Sequence, residues 1–274
     1  MNKIYIVALK EFKDGFRNRW IIAITLIFAV CSLGLSYFGS AASGTLGFSS
    51  LESTMISLAS LAVILIPLIA LMLAYHAFVG EYEQGTMLLL LTYPVSRLQM
   101  LIGKFLGQGT ILALSALLGF GTAAIAIVVT SEVEGSTVLA AFGGFILSAI
   151  LLGWVFIAFA YVISLTVSEK SRAAGLALVT WFLFVLAFDL ALLALLVASE
   201  GDVNAQLLNN LLLLNPSDVF RLINYQIVGA SEYGGVLQIA QTEPPGLASL
   251  FAIMATWVLV PLAIAGRIFQ KREI

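Results

Sequence analysis

The sequence predicts an all-α integral membrane protein that crosses the bilayer six times. Of its 274 residues, 61% are hydrophobic and 10% are charged, and the mean hydropathy is +1.07. A soluble domain carries about 25% charged residues, so this chain has too few to cover a water-facing surface. Apolar runs of about 20 residues recur, and each is long enough to cross a hydrocarbon core of about 30 Å.

The apolar runs define six predicted spans, which we treat as a single transmembrane domain over residues 1–274. They are Trp20–Phe38 and residues 57–79, 105–130, 139–167, 173–197 and 247–266. Pro67 lies inside the second run, where a spanning helix tolerates a kink. The fourth run is long enough to tilt or to project into the cytoplasm.

Residues 1–19 predict an amphipathic helix that lies in the headgroup plane beside the first span. At about 100° per residue, one face collects Tyr5, Ala8, Leu9, Phe12, Phe16 and Trp20. The opposite face collects Lys10, Lys13, Asp14 and Arg17. The alternative is a solvated, charged lead that only sets the orientation of the first span.

The basic residues predict that both termini are cytoplasmic. In this orientation Arg221 alone of the 13 Lys and Arg residues lies on the outer side. The cytoplasmic side then holds Lys3, Lys10, Lys13, Arg17, Arg19, Arg97, Lys104, Lys170, Arg172, Arg267, Lys271 and Arg272. The outer segments are acidic, with Glu52, Glu132, Glu134, Glu200, Asp202, Asp218, Glu232 and Glu243.

The outer segment 198–246 is the longest piece between two predicted spans. Residues 203–214 are apolar at one end and rich in Asn and Gln at the other. Asn215 followed by Pro216 then predicts the start of a second short helix, which ends near Gly229. A loop follows, marked by Gly234, Gly235, Pro244 and Pro245. We expect two short helices on the outer membrane surface, or dipping into it, rather than a folded domain.

Residues 80–104 predict a helical hairpin in the cytoplasm between the second and third spans. The second helix continues through Glu81 and Glu83 and breaks before Pro94, because the residue preceding a proline avoids the helical region. Ser96 and Gln99 form a capping box that starts the next helix. The apolar residues 87–91 need cover from the membrane or a partner protein. The alternative is a capped turn without a partner.

This stretch resembles the signature of ABC-2 type permeases, E-x-E-x-G-T followed by a Leu-rich run and P-x-S-R. The matching positions are Glu81, Glu83, Gly85, Thr86, Pro94, Ser96 and Arg97. Six spans, a basic amphipathic N-terminal helix and outer helices between spans five and six are also similar to that family. Residues 4–14 and 214–222 resemble, more narrowly, the permeases that act in maturation of the copper enzyme nitrous oxide reductase.

The resemblance implies a homodimer, two separate cytoplasmic ABC ATPase subunits and a periplasmic partner of the β-helix type. It assigns the seven signature residues to ATPase coupling, and ATP with Mg²⁺ to the partner ATPases. The chain has no GxxxxGK[ST] loop, so we expect it not to bind ATP in that way. The resemblance also implies that the chain itself binds no cofactor and has no enzymatic activity of its own. It also has no basic groove with interleaved aromatics, which argues against nucleic acid.

Two other functional classes remain open from the residues. The chain could anchor a periplasmic scaffold without a substrate path, because its predicted spans contain few polar residues. An intramembrane enzyme is weaker, since His76 has no matched carboxylate and nucleophile at a recognisable spacing.

Several polar residues are candidates for specific roles. Asp189 is the one acidic residue deep inside a predicted span, where an ionisable group suggests function; a hydrogen-bonded or protonated Asp near the outer end is the alternative. Asn215, Asp218 and Arg221 are candidate contacts for the periplasmic partner; for Arg221 the alternative is a local ion pair with Asp218, one turn before it.

Metal-ligating residue types are present but do not form a complete site. Met72 and His76 lie one turn apart, and thioether with imidazole suits copper. Two ligands are too few, so core packing is the preferred interpretation and we predict no metal site. Gly103 and Gly107 form a GxxxG pair that would let the third span approach a neighbouring helix closely, as could Gly109.

Overall fold

The computed structural model describes residues 3–38, 51–130, 133–199, 204–229 and 245–272, and every regular element in these ranges is helical. The helices are α1 Lys3–Arg17, α2 Trp20–Phe38, α3 Leu51–Ala74, α4 Val79–Glu83, α5 Thr86–Thr92, α6 Arg97–Thr130, α7 Gly135–Thr166, α8 Lys170–Phe182, α9 Phe188–Ala198, α10 Ala205–Leu212, α11 Pro216–Val228 and α12 Leu247–Lys271. A π-helical turn, Leu183–Ala187, joins α8 to α9. The predicted all-α membrane fold is confirmed.

Six segments of the described chain are long and apolar enough to cross a membrane. They are Trp20–Tyr37, Leu51–Glu83, Arg97–Thr130, Gly135–Thr166, Lys170–Ala198 and Leu247–Lys271. Each contains or overlaps one predicted span. The loop positions Glu132, Glu200, Asp202, Glu232, Gly234, Gly235, Glu243 and Pro244 lie outside the described residues.

Helix α7 forms the centre of the bundle and packs against α3, α6, α11 and α12. Its inward positions carry large aromatic side chains that are fully buried, among them Phe142, Phe145, Phe156 and Tyr161. The α8–α9 segment is instead mostly exposed along its length, with side chains such as Leu178, Val179 and Phe182 facing outward. Exposed apolar side chains on a spanning helix are suited to lipid, because the bilayer core is as apolar as they are.

Helix α1 packs along α6 at the two glycines of the GxxxG pair. A Cβ at Gly103 would lie 2.6 Å from Val7 Cβ, and one at Gly107 would lie 2.7 Å from the carbonyl oxygen of Ala8. The predicted close approach is confirmed, but the neighbour is the amphipathic helix rather than another span. Helix α1 therefore contacts α6 through the face that carries Val7 and Ala8. Tyr5 and Phe16, which belong to the predicted apolar face, remain exposed.

The helix of the second span is interrupted within the segment Leu51–Glu83. Helix α3 stops at Ala74, a turn occupies residues 75–78, and α4 begins at Val79, so the prediction of a continuous helix through Glu83 is wrong. The hydroxyl of Ser164 on α7 accepts hydrogen bonds from the backbone N–H groups of Phe78 and Val79, both at 3.0 Å. The break is tolerated because a side chain from another helix caps α4.

We expect Ser164→Ala to destabilise the protein by about 1–3 kcal/mol, because it leaves two buried backbone donors without their acceptor. Thermal unfolding of the detergent-solubilised protein measures this loss. Ser60→Ala is the matched control, since the exposed Ser60 hydroxyl only donates to a carbonyl of its own helix, that of Ile56. Equal unfolding temperatures for the two variants would contradict the capping role.

The fifth span also departs from the predicted continuous helix over residues 173–197. The π-helical turn Leu183–Ala187 interrupts it in the middle. Such a turn inserts one extra residue into the helix and frees a backbone carbonyl for an outside partner. The partner comes from an outer helix, described below.

The outer helices agree with the prediction. Asn204 caps α10 and Asn215 caps α11, and the Asn215 side-chain oxygen accepts a hydrogen bond from the N–H of Ser217 at 3.0 Å. Pro216 occupies the first turn of α11, and Gly229 ends that helix with a φ of 65°, which suits glycine. Helix α11 is buried against α3, α7 and α12, so it is part of the bundle.

Candidate coupling site at the hairpin between the second and third spans

The predicted hairpin consists of α4, α5, an elbow at residues 93–96 and the start of α6. The capping box is present: the Ser96 N–H donates to Gln99 Oε1 at 3.1 Å, and the Gln99 N–H donates to Ser96 Oγ at 3.2 Å. Tyr93 is extended immediately before Pro94, as the sequence predicts. Gly85, with a φ of 68°, adds a second bend between α4 and α5 that the sequence analysis did not predict.

A buried lysine holds the hairpin to α1 and α6. Lys104 Nζ lies 2.7 Å from Glu81 Oε1 and 3.0 Å from Glu11 Oε1, and the residue is only 4% exposed. The ammonium group also lies 5.7 Å from the centre of the Phe78 ring. Burial acts to raise the pKa of Glu11, but the charges of Lys104 and Lys10 outweigh it and hold that pKa below its ordinary value.

Lys104 and Glu11 were missed as site residues in the sequence analysis. Lys104 was interpreted only as an orientation charge. The sequence signal that could have identified Lys104 as a buried residue was its position directly after Gly103, where a neighbouring helix packs closely on α6. Glu11 follows Ala8 by one turn of α1, so it shares the face that contacts Gly107.

Glu83 connects the hairpin to span five. Its Oε1 accepts a hydrogen bond from the backbone N–H of Lys170 at 2.6 Å, and Lys170 is the first residue of α8. A carboxylate at a helix N-terminus satisfies an otherwise unpaired donor and interacts favourably with the helix dipole. The sequence predicts a coupling role for Glu83 but gives no indication of which helix it contacts.

Arg97 connects the hairpin to the end of the last span. Its Nη1 donates to three backbone carbonyls at the C-terminal end of α12, those of Phe269 at 2.8 Å, Gln270 at 3.0 Å and Arg272 at 2.8 Å. These carbonyls are orphan acceptors of a helix terminus, where a cation is favoured.

Arg272 extends this contact to α4 and α7. Its guanidinium lies 4.1 Å from the centre of the Tyr82 ring, within the range of a cation–π interaction. It also donates to the carbonyls of Leu165 at 2.6 Å and Val167 at 3.0 Å, at the C-terminal end of α7. The C-terminal ends of α7 and α12 and the N-terminal end of α8 therefore all contact the hairpin or the arginine stacked on it.

The remaining signature residues shape the hairpin itself. The Thr86 hydroxyl donates to the Glu81 carbonyl at 3.3 Å across the bend at Gly85. Beyond the bend, Met87 is buried, whereas Leu88 and Leu89 are 62% and 63% exposed. Two exposed leucines next to the exposed Tyr93 form an apolar surface that suits a partner protein or the membrane.

At the opposite end of the bundle from the hairpin, Asp189 has a basic partner that the sequence analysis did not foresee. Arg221 Nη1 lies 2.7 Å from Asp189 Oδ2 and 2.8 Å from Asp218 Oδ1, so the local ion pair with Asp218 is confirmed. Asn215 and Asp218 are buried within this chain and do not offer an exposed surface. The predicted contact of these residues with a periplasmic partner stays a prediction.

The copper-type pair Met72 and His76 does not develop into a ligand cluster. In the described part of the chain, no group of three or more His, Cys, Asp and Glu side chains could hold a metal ion. His76 lies in the turn after α3 and lines a polar cavity of 240 Å³ together with Lys104 and Lys170.

Comparison with known proteins agrees with this architecture. The family model for the ABC-2 family transporter protein matches residues 5–274, so the chain belongs to that family and is a membrane permease subunit of an ABC transporter. The chain is also 56% identical over 274 residues, 99% of each chain, to the probable ABC transporter permease protein NosY of Stutzerimonas stutzeri. It is 53% identical over 275 residues, 100% of each chain, to the protein of the same name from Pseudomonas aeruginosa, and it is thus a NosY homologue.

Proposed function

We propose that this chain couples ATP hydrolysis by two separate cytoplasmic ATPase subunits to periplasmic delivery of copper or sulfur for maturation of nitrous oxide reductase. It works as a homodimer in the bacterial inner membrane, with a β-helix type partner on the periplasmic side. ATP and Mg²⁺ bind to the ATPases and not to this chain. The similarity to NosY permeases over the full length supports this assignment.

The observation that carries the coupling mechanism is the set of helices that the charged side chains of the hairpin contact. Glu83 holds the start of α8, Arg97 holds the end of α12, and Lys104 joins Glu81 to α1. Each contact is a charge-assisted hydrogen bond, which is about twice as strong as a neutral one. A force on the exposed surface of α5 is therefore distributed to several spans, rather than bending one loop.

A second candidate is a membrane anchor that transmits movement to a periplasmic partner without a substrate path. The packing of α7 favours it, because its buried positions are mostly apolar. The buried Ser32 and Ser115 donate hydrogen bonds to carbonyl groups of neighbouring helices. These hydroxyl groups therefore join helices to one another and do not line a pore. A structure of the dimer with its partners discriminates the two candidates by the presence or absence of a continuous polar cavity between the chains.

Removing Glu83 is expected to separate ATP hydrolysis from maturation. Glu83→Ala should reduce nitrous oxide reductase maturation about tenfold or more, within the range of ordinary coupling free energies. The amount of protein in the membrane and the ATPase activity of the co-purified complex should persist. Maturation is measured as the copper content and activity of the reductase produced in cells that carry each variant.

Glu169→Ala is the matched control for this experiment. Glu169 is exposed, precedes α8 and pairs only with Arg172 among the described contacts, at 3.1 Å. Full maturation activity in Glu83→Ala, or an equal loss in Glu169→Ala, would contradict the coupling role. Co-purification of an ATPase and a periplasmic protein with the detergent-solubilised chain tests the assembly itself.

A further inference from the structure

Four residues on the outer side form a connected group that we call the outer latch: Asp189, Asn215, Asp218 and Arg221. A single nitrogen, Arg221 Nη1, donates hydrogen bonds to both carboxylates, at 2.7 Å from Asp189 Oδ2 and 2.8 Å from Asp218 Oδ1. Asp218 is 1% exposed. Two carboxylates and one guanidinium leave the group with one surplus negative charge, which is costly at a buried position.

The outer latch holds the π-helical turn of span five. Asn215 Nδ2 donates to the carbonyl of Phe184, inside that turn, at 3.0 Å, and to Asp218 Oδ2 at 2.8 Å. The amide thus joins the irregular backbone of span five to the first turn of α11. Single π-helical turns inside α-helices are frequent at functional sites, and this contact gives the turn a partner at the start of α11.

Among the described charged groups, only Asp189 and Arg221 contribute by their charge to the shifted pKa of Asp218. Along α11, Tyr225 lies two turns further on and interacts electrostatically with Arg221. Helix α3 contributes Glu52, which lines an outer cavity beside Gln226. Ser148 of α7 accepts a hydrogen bond from Asn224 of α11. Trp257 of α12 donates to the carbonyl of Leu213, just before α11. The proton balance of the outer latch is therefore decided by its own three charged groups.

We propose that the outer latch is a proton-dependent contact between α11 and span five. When α11 packs against span five, the outer latch takes up one proton. With a proton on Asp218, Asp189 and Arg221 form a neutral pair and the surplus charge disappears. When that proton leaves, repulsion between the two carboxylates loosens α11 from the π-helical turn. Movement of the outer helices is then coupled to proton exchange with the outer compartment. This inference does not depend on the cargo or on the ATPase partners.

The electrostatics of Asp218 agree with this geometry. Burial, followed by the charge of Asp189, raises the pKa of Asp218 from 3.8 to about 7, against the opposing effects of Arg221 and Asn215. The docked state binds the proton more tightly than an exposed carboxyl does. The stabilisation is therefore complete below pH 3.8 and is lost as the pH rises through about 7.

Trp257 is a natural reporter of the outer latch. Its Nε1 donates to the carbonyl of Leu213, just before α11, at 3.1 Å, and its ring centre lies 6.0 Å from that of Phe184 in the π-helical turn. The chain has four tryptophans. Fluorine NMR of the full chain labelled with 5-fluorotryptophan resolves Trp257, and the other three resonances report whether each variant is folded.

We expect the Trp257 resonance to titrate with a one-proton transition whose midpoint lies near pH 7. Asp218→Asn should abolish the transition. Glu134→Gln, which removes an exposed outer carboxylate bound only to Ser136 among the described contacts, should leave it unchanged. A Trp257 resonance that does not titrate, or a transition that survives in Asp218→Asn, would overturn the proposal.

Asp189→Asn provides an independent test in case Asp218→Asn does not fold. Asp189 is partly exposed, and its charge helps to raise the pKa of Asp218. Its neutralisation should move the midpoint to lower pH by about one unit or more. A midpoint that stays in place or moves to higher pH in this variant would also overturn the proposal, whereas a merely structural role predicts no such directed shift.

Discussion

Lys104→Met is expected to destabilise the protein by about 3–5 kcal/mol, the typical cost of removing one partner from a buried ion pair. The lysine is almost fully buried and contacts Glu11 and Glu81 at 3.0 and 2.7 Å. Methionine fills a similar volume, so the loss comes from Glu81, which is left without its cation, and from Glu11, which keeps only the half-exposed Lys10. Denaturation of the purified protein in detergent, followed by circular dichroism, measures the change in unfolding free energy.

Lys10→Met is the matched control, because Lys10 is half exposed and pairs with Glu11 and Asp14 at the surface. Exposed ion pairs contribute about 0–1 kcal/mol, so this variant should unfold close to the wild type. Adding Glu11→Gln and Glu81→Gln to Lys104→Met should recover much of the lost stability. Equal stability of the two single lysine variants would show that the buried cluster does not hold the hairpin.

The same cluster predicts acid sensitivity. Because the pKa of Glu11 is lowered in the folded protein, its stabilisation is complete above the ordinary value of 4.5 and is lost as the pH falls through the lowered value. The sign is opposite to that of Asp218, whose raised pKa favours the docked outer latch in acid. The cytoplasmic and outer clusters should therefore respond to pH in different directions.

The second large effect is expected for Gly107→Ala. A Cβ at this position would lie 2.6 Å from Glu11 Cβ and 2.7 Å from the Ala8 carbonyl oxygen. The backbone of α1 must therefore move away from α6, at a cost of about 1–3 kcal/mol. Displacement of α1 also lengthens the contact between Glu11 and Lys104. Limited proteolysis within α1, together with the unfolding midpoint, measures the displacement.

Gly121→Ala is the control on the same helix, because a Cβ there would meet nothing within 4 Å. Alanine is a better helix former than glycine, so this variant should gain about 0.5–1 kcal/mol. The two substitutions are chemically identical and are expected to have opposite signs. A gain in both would mean that α1 does not rest on Gly107.

Local chemistry made several elements predictable. The capping box at Ser96 and the Asn215–Pro216 start of α11 depend on side chains that bond to their own backbone within three residues. The six apolar runs were equally readable, since crossing a bilayer requires about 20 apolar residues in succession. The breaks at residues 75–78 and at Leu183–Ala187 were not predictable, because the groups that satisfy their backbone come from Ser164 and Asn215, which are distant in sequence.

The sequence by itself determined the class of protein, the number of spans and the position of the hairpin, because length, apolarity and capping are properties of contiguous residues. Tertiary structure alone decided what each charged side chain contacts. Lys104 meets Glu11, 93 residues away, and Arg97 meets the end of α12, 172 residues away. The physical reason is that a charge near the membrane must find a partner wherever packing places one, and packing depends on the whole bundle.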